Sequence, residues 1–178
     1  MSVADLTLLT PEHCTTPQML DALRRRYERD DGSCVFIPEL RVGTGYGKGK
    51  EQRIDAYLLH CWGSLDRIAF EIKASRGDFL RELKQPLKRR AALVLSNEFY
   101  FVAPEGVIKQ DELPLECGLI VVKWSSWETI AWHVDGYQHE PHEGWIAETK
   151  TAAVHRDTSP PTWSFLAAVA RRLAKADQ

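Results

Sequence analysis

The sequence predicts an α/β protein, a mixed sheet flanked by helices. Three observations carry that expectation. Short apolar segments rich in Val, Ile, Leu and Phe recur between turn signals, and they alternate with segments whose apolar residues repeat at helical spacing. Along the chain the order is helix, three strands, helix, then two strands. The balance of 44% hydrophobic and 27% charged residues over 178 positions is that of one globular domain able to bury a sizeable core. That core is expected over about residues 17–132, with a C-terminal extension and helix over about 133–178.

Thr15-Thr16-Pro17 reads as a helix start, a capping threonine with proline at the first helical position, and Met19, Leu20, Leu23 and Tyr27 follow at helical spacing. Asp30-Asp31-Gly32 ends that helix. Residues 34–42 read as a strand in which Pro38 marks an edge or a bulge. After the glycine-rich connection at 43–52, strands are expected at 53–62 and 65–74, with Gly63-Ser64 as the turn between them. Ser75 or Asp78 can cap a helix over about 77–95, which Pro86 kinks or splits. Residues 97–104 and 119–124 are further strands. Beyond Trp132 the polar, turn-rich GYQHEPHEGW shows no periodicity, and residues 163–176 form an amphipathic C-terminal helix.

The third strand carries the chemistry. Side chains alternate faces along a strand, so Ile68, Phe70, Ile72 and Ala74 share one face, and Ala69, Glu71, Lys73 and Ser75 the other. For a hairpin turning near Gly63, residues whose numbers sum to about 126 face one another, which sets Asp55 opposite Glu71. Directly opposed side chains stand about 4.5–5.5 Å apart at Cβ, and like charges there repel. A shared divalent cation removes that repulsion, and carboxylate oxygens suit Mg²⁺ or Mn²⁺, which accept phosphate oxygens as further ligands. Lys73, two residues along on the same face, is placed to orient or deprotonate an attacking water, or to stabilise charge on a phosphate. Taken alone, Glu71-Ile72-Lys73 is also what a solvated surface ion pair looks like.

Ile54-Asp55 and Glu71-Ile72-Lys73, set in that element order, resemble the PD-(D/E)XK nucleases, the restriction-endonuclease-like superfamily, over roughly residues 17–123. Ala74-Ser75-Arg76-Gly77-Asp78-Phe79, followed by Phe99-Tyr100-Phe101-Val102, is most similar to the small MmcB-like DNA-repair members and their phage-borne relatives. Ile54 stands where the family's name has proline. The resemblance implies a restriction-endonuclease-like α-β-β-β-α-β core and Mg²⁺-dependent hydrolysis of DNA, by an endonuclease or DNA-repair nuclease. It implies Asp55 and Glu71 as metal ligands and Lys73 as the catalytic lysine. A further acid from the first helix or first strand is part of the pattern; Glu28 and Glu39 are the candidates, Glu39 being favoured because it can lie on the same sheet. The alternative on the same fold is a catalytically silent DNA-binding accessory module of repair. A plain interaction domain with an exposed ion pair is the third.

With a net charge of −2, affinity for DNA must come from local clusters. Arg76, Arg81, Lys84, Lys88, Arg89 and Arg90 crowd the segment after the third strand and are expected to track phosphates, Arg81, Lys84 and Lys88 sharing one helical face. The loop GTGYGKGK has the spacing of neither a Walker A loop nor a dinucleotide-binding turn. It reads either as a hairpin connection or as a DNA-contacting loop, with Lys48, Lys50 and Arg53 reaching phosphates.

Four dispersed cysteines without a C-x-x-C pair argue against structural zinc and against a disulfide framework. The start MSVADLTLLTPEH resembles no signal peptide, and no run of about 20 apolar residues occurs, so a cytoplasmic protein with no membrane contact is expected. His133, His139, His142 and His155 read as surface residues, and Trp124, Trp127 and Trp132 as packing residues rather than base-stacking ones. Trp163, Leu166, Val169 and Leu173 offer a stripe for a homodimer.

Overall fold

A computed structural model of the chain describes residues 13–42, 52–134 and 136–175. Helix α1 (Thr16–Tyr27) is followed by strands β1 (Cys34–Val42), β2 (Gln52–His60) and β3 (Arg67–Ile72), and then by helix α2 (Arg76–Leu83). A 3-10 turn (Pro86–Arg89) leads into helix α3 (Arg90–Leu95) and strand β4 (Glu98–Pro104). Strands β5 (Gly118–His133) and β6 (Gly136–Thr151) and helix α4 (Trp163–Ala174) complete it. The six strands form one sheet in sequence order. β3, β4 and β5 run parallel, while β1–β2, β2–β3 and β5–β6 are antiparallel, so the sheet is mixed as expected.

Local signals place the first elements. Thr15 and Gln18 close a capping box at the head of α1, with Pro17 in its first turn. β1 lies at the sheet edge, where Pro38 costs no interior ladder bond. The α2–α3 segment is the crossover that a parallel β3–β4 pair requires. Ser75 caps α2, its hydroxyl accepting the Asp78 N–H at 3.2 Å.

Both faces of the sheet are covered. On one, Met19 and Leu23 of α1 pack on Leu58, Ile68, Phe70, Val102 and Ile120. On the other, Phe79 of α2, Ala92 of α3, and Phe165 and Val169 of α4 pack on Tyr57, Ala69, Phe99 and Phe101. The Ala69–Glu71–Lys73 face of β3 is therefore no open sheet surface, which removes the solvated ion pair as a description of Glu71 and Lys73.

Three expectations are corrected. The helix expected over 77–95 is three pieces, because Pro86 has no N–H for the helical ladder and the chain tightens into the 3-10 turn there. The polar stretch after Trp132 is not loop: β5 and β6 pair from Trp132↔Tyr137 to Leu119↔Thr151. The C-terminal third thus belongs to the same sheet. Arg25 and Arg26 of α1 donate to the carbonyls of Trp145 (2.8 Å) and Ala147 (2.6 Å), and Arg172 of α4 to that of Pro38 (2.9 Å). The stripe on α4 divides, Val169 entering the core while Trp163 stays 87% exposed. Among the described residues no helix is long and apolar enough to cross a membrane, and all four cysteines are free thiols.

Gly118, at the head of β5, sits where a Cβ would overlap the Tyr100 ring and stand 2.7 Å from the Ala153 backbone nitrogen. Gly118→Ala is expected to destabilise by about 1–3 kcal/mol through overpacking. The measurement is a lower urea midpoint at unchanged slope.

Candidate active site

The β2–β3 ladder keeps the register that the Gly63 turn predicts, with Leu58↔Ile68, Tyr57↔Ala69 and Ala56↔Phe70 as partners. There it stops. At the next position the Asp55 carboxylate, not a backbone carbonyl, accepts the Ile72 N–H, at 2.9 Å from Oδ2. β3 meanwhile stays paired with β4 along its other edge, through Ile72↔Val102 and a 2.8 Å bond from the Lys73 N–H to the Val102 carbonyl. The two strands part where Asp55 and Glu71 emerge, and a cleft of about 550 Å³ opens beside them.

Lys73 is buried in the cleft wall, its Nζ 2.7 Å from Glu71 Oε1 and 3.5 Å from Glu82 Oε2. Burial alone would lower its pKa, but the carboxylates of Glu71, Glu82 and Asp55 outweigh it and hold the amine above its usual range. Beside these carboxylates the Lys73 amine is favoured as a positive charge and a hydrogen-bond donor. Glu71 is pushed up to about 7, first by burial and then by the charge of Asp55, with Lys73 pulling the other way.

That shift has a sign for stability. The folded protein holds the Glu71 proton more tightly than the unfolded chain, so its contribution is fully present below the ordinary glutamate value of 4.5 and is lost as pH rises through about 7. In metal-free buffer, Glu71→Gln should remove that decline: the stability difference, variant minus wild type, should grow between pH 5 and pH 8. Urea midpoints at the two pH values measure it, and an unchanged difference would mean that Glu71 titrates normally.

Glu82 is a site residue that the sequence reading misses. It lies three residues after Phe79 on α2, and the helical face that carries Phe79 into the core carries Glu82 in beside it. The signal is present in the sequence, an acid on the inward face of a short amphipathic helix. The favoured third acid, Glu39, is not in the cleft. Its backbone has φ of 53°, which turns the side chain out of the strand's alternation. Half exposed, it meets Arg53 at 3.5 Å, and Arg53 in turn lies 3.7 Å from Asp55. Glu28 ends α1 and pairs with Arg24 at 3.7 Å.

The basic residues divide as well. Arg53, Arg81 and Lys88 line the cleft, with Arg81 three-quarters exposed and paired to Asp78. Lys84, at the C-cap of α2, is exposed and does not line it. Arg76 turns away to hold Glu112 through two bonds, at 2.5 and 2.9 Å. Arg89 is buried by the 3-10 turn, its Nη2 3.6 Å from Glu116. Neither is free to track phosphate in this arrangement. Lys48 and Lys50 lie outside the described residues.

The charged lining is balanced: Asp55, Glu71, Asp78 and Glu82 against Arg53, Lys73, Arg81 and Lys88. Among the described residues no three His, Cys, Asp or Glu side chains converge as a ready cage for a metal. Two carboxylates in one cleft still match what hydrated Mg²⁺ asks of a protein, since waters and phosphate oxygens complete its octahedron. The repulsion that raises Glu71 is the repulsion that a cation there would relieve.

No family model and no curated protein matches the chain. Among solved structures it is similar to SPO1766, a protein of unknown function from Silicibacter pomeroyi, at 18% identity and a TM-score of 0.57, with 94% of each chain covered. The likeness is one of fold, an α/β sheet flanked by helices along almost the whole chain.

Proposed function

We propose that the protein is a divalent-metal-dependent deoxyribonuclease of the restriction-endonuclease-like kind, with Asp55 and Glu71 as the metal ligands and Lys73 as the catalytic lysine. One observation carries the reading: Asp55, Glu71 and a buried Lys73 meet in one cleft at the point where β2 and β3 part. Mg²⁺ or Mn²⁺ held there would polarise the phosphate and acidify a bound water. Lys73 presents a fixed charge to a phosphate oxygen, and Glu82 keeps its amine in place. Arg53, Arg81 and Lys88 on the rim hold the DNA backbone without reading its sequence. Because the lining is balanced, a bound cation is what makes the cleft attractive to a polyanion, so affinity for DNA should rise when Ca²⁺ is added.

The test is incubation of linear, nicked, forked and single-stranded DNA with and without Mg²⁺ or Mn²⁺, for wild type, Glu71→Ala and Lys73→Ala. Cleavage is expected only with metal and only in the wild type. Cleavage that persists in both variants removes this site, and metal-stimulated binding without cleavage moves the assignment to the silent DNA-binding accessory module. With three rim contacts, duplex affinity should fall with salt at a log–log slope of about −2.7.

A further inference from the structure

A second cleft, of about 470 Å³, opens along the same end of the sheet. It shares its walls with the first. Ile72 and Lys73 line the candidate active site and Ala74 lines the second cleft; Thr16 lines the first, and His13 and Cys14 the second. The ends of β3 and of the segment entering α1 therefore form a partition with one cleft on each side. The second continues past the end of β4, at Pro104 and Glu105, to Trp124 on β5 and Trp145 on β6.

The chemistry of the two clefts differs. Across the partition there is no cluster of cations: Lys123 is tied to Glu148 at 2.5 Å, and Glu105 stands nearby. What the second cleft offers is aromatic surface. Trp124 and Trp145 pack edge to face, their ring centroids 5.5 Å apart, and both indoles are only partly buried. The Trp145 indole N–H has no acceptor among the described residues, and an unsatisfied buried donor is uncommon. A phosphate gains little in such a place. A flat, neutral heterocycle gains stacking on the partly exposed indoles, while the Trp145 N–H stays beneath the surface.

We propose that this cleft receives an unpaired nucleobase of the strand whose phosphate lies at Glu71 and Lys73. The proposal rests on the nuclease reading and deepens it, because a base can turn across the partition only from a single strand or by leaving the duplex stack. It thereby names single-stranded or locally unpaired DNA as the substrate class. The backbone follows Arg53, Arg81 and Lys88, and the base turns between Ala74 and the two tryptophans.

The test uses the full chain in Ca²⁺ without Mg²⁺ or Mn²⁺, the condition expected to favour binding, and a single-stranded oligonucleotide carrying one 2-aminopurine, beside the blunt duplex of the same sequence. Binding is expected to quench the 2-aminopurine and to favour the single strand. Trp124→Ala, and Ala74→Leu, which adds bulk at an exposed position and leaves the core alone, should each weaken single-strand binding about tenfold. Lys84→Ala, at a position that lines neither cleft, should leave it intact, and Glu71→Gln should abolish cleavage in Mg²⁺. Unchanged single-strand affinity in both pocket variants, or equal affinity for the duplex, overturns the base pocket. If Glu71-dependent cleavage persists in that case, the nuclease reading survives alone. If the wild type binds no DNA, both fall.

Discussion

Glu71→Gln should lower Mg²⁺-dependent cleavage of DNA by roughly 10³-fold, the scale of loss when one pre-positioned electrostatic group leaves an active site. It should do so without unfolding the protein. Glutamine keeps the shape, and its carbonyl can still accept from Lys73 Nζ, 2.7 Å from Oε1 in the wild type. What disappears is a negative charge held against burial and against Asp55. At pH 8 the variant should therefore match or exceed the wild type in metal-free thermal stability. The wild type alone should gain stability on adding Mg²⁺, because a ligand that binds only the folded state stabilises by mass action. A residue that merely supported the fold would lose stability and activity together. The opposite movement of the two readouts marks a ligand, and a variant that still cleaves at more than about a tenth of the wild-type rate would contradict that role.

Lys73→Ala is expected to carry the largest stability cost, about 3–5 kcal/mol, as when one partner of a buried pair is removed and the other is stranded. The side chains of Lys73 and Glu82 are 10% and 7% exposed, so solvent screens their interaction little. Glu71, 20% exposed, would be stranded with them. Neutralising the stranded acid should restore part of the loss: Lys73→Ala with Glu82→Gln should be more stable than Lys73→Ala alone. Lys84→Ala, at an exposed position, should stay within about 0.5 kcal/mol of wild type. Urea unfolding of the four proteins measures this, and a Lys73→Ala loss below about 1 kcal/mol would contradict a buried amine held between acids.

The site is legible in the sequence through local rules. A turn at Gly63 and period-two alternation are enough to bring Asp55 and Glu71 to the same point, because register in a short hairpin depends on turn position. The misplaced residues obey longer-range geometry. Regular alternation would put Glu39 in the cleft, and one positive φ breaks it. An unbroken helix would align Lys84 with Lys88 and expose Arg89; the 3-10 turn at Pro86 instead rotates the chain, burying Arg89 and moving Lys84 out of line. β6 escapes notice because most of its residues are at least partly exposed, Pro141 sits within it, and its ladder bonds to β5 leave no trace in hydropathy. Glu82 requires knowing which face of α2 turns inward, and only Phe79 and Leu83, one turn apart, mark it.

The tip of the long β5–β6 hairpin carries a local acidic bias that the nearly neutral total conceals. Among its described residues from 125 to 144 the hairpin contains Glu128, Glu140 and Glu143 and no lysine or arginine. Arg53 on β2, Arg81 and Lys84 at α2 and Lys88 in the 3-10 turn are exposed. Under the proposed nuclease reading, a polyanion would feel a torque from the local charge dipole between the hairpin tip and the Arg53 side. Exchanging Glu128 and Glu143 for lysine would flatten the dipole and slow association at low ionic strength, with the cleft itself untouched.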